Sequence, residues 1–154
     1  MPQQFPALDP LLVDDFVRDG YIYDLYDGDT VYYHANLGYN HVAAFQTGRL
    51  LDVWAAEVRP LRSRAEGMVA KKHLQSLIEK YALNRHIEQQ PYGFHIKIRT
   101  YPGKNKWFKH APLPRKGKYG RWLVTLIGAD DQGKPFNINE EMVRSGHATS
   151  RRDR

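Results

Sequence analysis

The spacing of apolar residues changes period several times along this chain of 154 residues. From Arg64 to Tyr81, Ala70, Leu74, Leu77, Ile78 and Tyr81 recur at helical spacing. Lys71, Lys72, Gln75 and Glu79 fall on the other side, so the segment predicts an amphipathic helix. From Phe94 to Tyr101 the period drops to two, with Phe94, Ile96 and Ile98 on one face and His95, Lys97 and Arg99 on the other. That is the signature of a half-buried strand. Tyr21 to Tyr26 and Val31 to Ala35 are rich in aromatic and β-branched residues, and the Asp27-Gly28 between them signals a hairpin.

Shorter segments complete the picture. Asp9 to Arg18 reads as a helix: Asp9 is a suitable N-cap, Pro10 a good first residue, and Gly20 a stop. Asn40 to Phe45 and Arg49 to Val53 read as two strands separated at Gly48, and Trp122 to Ile127 as a further strand. Asn84 to Gly93 reads as a connector, Pro102 to Gly117 as a loop, Asp130 to Gly133 as a turn and Asn139 to Ser145 as a short helix. The expected class is α+β, a five-stranded OB-type β-barrel with packed helices. The expected organisation is an N-terminal helical extension over 1–20, the barrel domain over 21–150 and a basic tail over 151–154.

The net charge of +6 is concentrated. Between Tyr101 and Arg121 stand Lys104, Lys106, Lys109, Arg115, Lys116, Lys118 and Arg121, with no acidic residue. Tyr101, Trp107, Phe108 and Tyr119 are interleaved with them. A basic block seeks polyanions, and rings among the cations offer stacking surfaces for bases, so DNA or RNA is the expected partner. No protein partner is identifiable. The absence of cysteine excludes disulfides and thiolate metal sites. No apolar run approaches the ~18 residues of a membrane span, so no membrane association is expected. Met1 to Phe5 lack the basic and apolar stretches of a secretory signal, and the expected location is the cytoplasm.

The residues with chemical potential come in short pieces. In Asp27-Gly28-Asp29-Thr30 the second acid stands just past the turn, either as a solvated edge residue or as a cation ligand. Arg49 opens an apolar stretch, where its guanidinium fork either sits at a strand end or grips two phosphate oxygens. Glu57 follows eight residues later, and Lys118-Tyr119-Gly120-Arg121 precedes a strand.

Taken in this order, with Asn139, Met142-Val143 and Gly146-His147-Ala148 at the end, the pieces resemble the staphylococcal nuclease (thermonuclease) family over roughly Tyr21 to Ala148. Leu37-Gly38-Tyr39 and the long loop before Lys118 look most like its phage-encoded members. The resemblance implies a metal-dependent endonuclease that hydrolyses DNA or RNA and leaves a 5′-hydroxyl and a 3′-phosphate. Calcium is the cation implied, with magnesium or manganese as alternatives. Asp29 matches the metal-binding aspartate, and Ala55 would offer a backbone carbonyl to the metal. Arg49 and Arg121 match the phosphate-binding arginines, and Glu57 the glutamate usually assigned as general base. Lys118 and Tyr119 match positions near a terminal phosphate, and the neighbouring Lys104, Lys106 and Lys116 are candidate substrate contacts.

Two departures stand out. Trp54-Ala55-Ala56-Glu57 replaces the family's usual Asp-Thr/Ala-Pro-Glu, so Trp54 occupies the place of a second metal-binding aspartate. Glu57, Asp52 or Asp27 is then the expected substitute ligand, Asp52 because it shares strand parity with Trp54. Otherwise the metal is lost, leaving a catalytically impaired nucleic-acid-binding or assembly protein on the same fold. At the C-terminus, Arg151-Arg152-Asp153-Arg154 stands where the family often continues with tyrosines.

Overall fold

Three antiparallel strands form the first half of the fold: β1 (Val17–Asp27), β2 (Thr30–Gly38) and β3 (His41–Leu50). Helix α1 (Arg64–Tyr81) follows, then β4 (Phe94–Arg99), a short pair β5 (Pro102–Gly103) and β6 (Leu113–Pro114), and β7 (Trp122–Ala129). Strand β8 (Pro135–Asn137) and helix α2 (Ile138–Arg144) end the regular structure. This computed structural model describes residues 16–58, 63–103, 113–114 and 120–150. The sheet runs β3-β2-β1-β4-β7-β8, and a parallel pairing of β3 with β7 closes the first five strands in that order into a barrel. The architecture is an OB-like α+β fold.

The core follows the periodicities. Val31, Leu50, Ile96, Ile98, Val124 and Leu126 point inward from the strands, and Ala70, Leu74, Leu77 and Ile78 of α1 seal one end. Tyr81 is half-buried and stacks on Phe136, with ring centres 3.7 Å apart. No helix among the described residues is long and apolar enough to cross a membrane.

The structure corrects four expectations. Val17 and Arg18, assigned to an N-terminal helix, begin β1 and pair with Arg99 and Ile98. The ladder to β4 overrides the local helix signals, and Asp9 to Asp15 lie outside the described residues. Strand β3 is continuous through Gly48, where the sequence pattern predicts a break. A Cβ there would come within 2.9 Å of both Tyr33 and Val124, so the glycine marks close packing at the barrel seam. Within Pro102 to Gly117, read as a loop, β5 and β6 pair. Finally, β8 precedes α2, whose N-cap is Asn137, accepting from the Glu140 amide.

Candidate active site

The Asp27-Gly28-Asp29-Thr30 turn joins β1 to β2, with Asp27 paired to Thr30. Gly28 is required here by space. A Cβ at this position would lie 2.8 Å from the Cβ atoms of both Ala55 and Ala70. The turn is thus pressed between the segment that follows β3 and the middle of α1.

Both aspartates are buried. Asp27 accepts a hydrogen bond from the Asp29 amide at 3.1 Å. Asp29 Oδ1 accepts from the Thr30 hydroxyl at 3.0 Å, and its Oδ2 accepts from the Ala55 amide at 3.1 Å. The Arg49 guanidinium lies 3.7 Å from Asp29 Oδ2. Burial, reinforced by the hydrogen bond and charge of Asp29, pushes the Asp27 carboxyl up to about 7.

Arg49 sits at the barrel seam, opposite Thr30 on one side and Leu123 on the other. Its guanidinium donates to the Val53 carbonyl at 3.2 Å and lies over the Trp54 ring, 3.6 Å from the ring centre. Trp54 itself exchanges backbone hydrogen bonds with Thr149, at 2.9 and 3.0 Å. Asn139 of α2 donates to the carbonyls of Leu51 and Val124, fastening the start of the same segment. Arg121 immediately precedes β7, two residues from the partner of Arg49, which is about 7 Å along the chain.

Glu57 is exposed, two residues beyond Ala55. Its carbonyl accepts from Ser63 at 3.0 Å and abuts Gly67 of α1, where a Cβ would lie 2.3 Å away. The structure therefore joins Asp27, Asp29, Arg49 and Ala55, and sets Glu57 and Arg121 on the adjoining segments. Asp52 stands apart from this design. It is exposed in a left-handed turn (φ 56°) outside β3, so the parity with Trp54 expected from the sequence does not hold. Lys104, Lys106, Lys116, Lys118 and Tyr119 lie outside the described residues.

Sequence reasoning marked Trp54 only as a missing carboxylate and did not find its role as the surface on which Arg49 rests. It also missed Thr149, whose backbone pairing carries no side-chain signature. The burial of Asp27 was hidden too, because an Asp-Gly pair reads first as a turn.

Calcium takes six to eight oxygens. Among the described residues no three His, Asp or Glu side chains cluster as ligands. Magnesium is held through one or two carboxylates, with water and substrate phosphate completing its shell. Asp27 and Asp29 would suit that pattern: both are buried on one turn, the Asp29 amide donates to the Asp27 carboxylate, and burial beside Asp29 pushes Asp27 towards its protonated form.

No protein-family model matches the chain, and no curated protein matches it.

Proposed function

We propose that the chain is a metal-dependent nuclease hydrolysing phosphodiester bonds of DNA or RNA in the manner of the staphylococcal nuclease family. The observation that carries this reading is the convergence on Asp29. Its carboxylate accepts from Ala55, 26 residues away, and pairs with Arg49, joining three pieces that are separate in the sequence.

In this reading Arg49 and Arg121 hold the phosphate and stabilise the negative charge that gathers on its equatorial oxygens. Glu57 takes a proton from the attacking water. The resulting hydroxide oxygen bonds to phosphorus as the bond to the 5′ oxygen breaks, and that oxygen takes up a proton from solvent, leaving a 5′-hydroxyl and a 3′-phosphate. Asp29, with Asp27 beside it, would hold the divalent cation. When bound, that cation adds positive charge at the phosphoryl oxygens and acidifies water.

A second reading rests on one observation. Arg49 is stacked on Trp54 where the family's pattern has a carboxylate. If that substitution removed metal binding, the domain would bind nucleic acid without cutting it.

A labelled single-stranded oligonucleotide assayed in magnesium, manganese and calcium separates the two. The nuclease reading expects new 5′-hydroxyl ends that vanish with EDTA and in Glu57→Gln. Salt-sensitive binding with no cleavage in any of the three metals would overturn it in favour of the second reading.

A further inference from the structure

The outer face of β1–β3 carries a row of rings that the proposed chemistry does not use. Tyr23 stacks on His34, with centres 4.6 Å apart and planes 17° from parallel. Phe45 meets His34 edge-on at 4.8 Å, and Tyr32 continues the row on the other side of Tyr23 at 6.3 Å. Phe45 is 74% exposed and Tyr23 41% exposed, a large aromatic area to leave in water.

The row is built. Opposite His34 the β2–β3 register shifts, and Phe45 takes a left-handed backbone (φ 56°), a costly state for a bulky residue. Its amide donates to the His34 ring nitrogen at 3.0 Å, which fixes both rings. A bulge that strains the chain to keep a phenyl ring outside the core points to use of that ring.

The surroundings indicate the occupant. A groove of about 620 Å³ begins at Tyr23 and His34, and Lys71, Gln75, Gln90 and Tyr92 also line it. It offers a cation, amides and a further ring, together with the Asp24 carboxylate and the aliphatic Ile22, Leu25 and Ile78. At the other end, Tyr32 lies two residues from Thr30 of the acidic turn. Flat rings bordered by lysine and amides suit the faces, edges and phosphates of nucleotides.

We propose that Phe45, His34, Tyr23 and Tyr32 form a base-stacking track for single-stranded nucleic acid, which holds the strand beyond the phosphate engaged by Arg49. The inference rests on the nucleic-acid reading above.

The test measures affinity by fluorescence anisotropy in EDTA, which prevents cleavage. The probes are a short single-stranded oligonucleotide and an abasic strand of equal length. Phe45→Leu and Tyr23→Leu keep apolar area but remove the ring. Each is expected to weaken binding of the base-bearing strand about five- to 150-fold, the range for one stacked base, and to leave the abasic strand unchanged. Phe45→Trp is expected to restore affinity. Unchanged affinity in both leucine variants, or equal loss for both strands, would overturn the track while leaving the nuclease reading intact. If the unmutated protein binds neither strand, the nucleic-acid reading fails and the track fails with it.

Discussion

The Arg49 guanidinium rests 3.6 Å from the centre of the Trp54 ring and 3.7 Å from Asp29 Oδ2. A ring face and a carboxylate thus hold one cation between them. An aspartate at position 54 would be a second anion at this point. The tryptophan instead confers shape and an attractive π face, worth about 0.5–2 kcal/mol to the arginine.

Trp54→Asp should therefore move the site towards metal binding. One added charge at ~4 Å and an effective dielectric of ~20 contributes ~4 kcal/mol before desolvation, or up to about three decades in cation affinity. Isothermal titration with magnesium and calcium reads the change. Equal affinities in the two proteins would mean that position 54 does not face the cation.

The acidic turn makes stability depend on pH. Asp27 titrates at about 7 in the folded protein, above its ordinary 3.8, so the folded state holds this proton more tightly than the unfolded state. The stabilisation is complete below the unfolded value and is lost as pH rises through about 7. In EDTA, the urea midpoint of the protein should fall between about pH 4 and 7 and level off above that. Asp27→Asn should flatten that fall. Parallel curves would remove Asp27 as the cause.

Gly67 invites a substitution that propensity alone would favour. In an exposed helix, alanine gains about 1 kcal/mol over glycine. Here a Cβ would stand 2.3 Å from the Glu57 carbonyl oxygen. Gly67→Ala should therefore destabilise by about 1–3 kcal/mol through overpacking, read as a lower urea midpoint. A stabilised variant would show that α1 does not rest on the Glu57 segment.

Asn139 satisfies three backbone groups from one buried amide. It donates to Leu51 and Val124 and accepts from the Leu126 amide. Asn139→Ala strands the Leu51 carbonyl and the Leu126 amide, while the Val124 carbonyl keeps the Leu51 amide as donor; at about 1–3 kcal/mol per unsatisfied buried group the loss should reach at least 2 kcal/mol. Denaturant titration tests this, and a loss under about 1 kcal/mol would contradict the network.

Helix α1 was legible to the residue because its apolar stripe is long and buries one face. The inward set of β4 was equally clear from its alternation. Strand β1 was misread at Val17 and Arg18 because its true partner, β4, lies some 80 residues further on, and only that ladder overrules the local helix signals. The acidic turn and Arg49 were visible as motifs. Their mutual contacts were not, since these depend on how the segment after β3 folds back over Gly28. The left-handed Phe45 was invisible, because the bulge that demands it is a property of two strands together.

Trp54 hangs by both of its backbone bonds from Thr149, beyond α2. A chain emerging from the ribosome therefore presents its acidic turn and Arg49 early, but lacks the clasp that holds the tryptophan until nearly all of the described residues have been made. Assembly of the arginine's resting place therefore waits on Thr149, and premature termination anywhere before that residue leaves it unfinished.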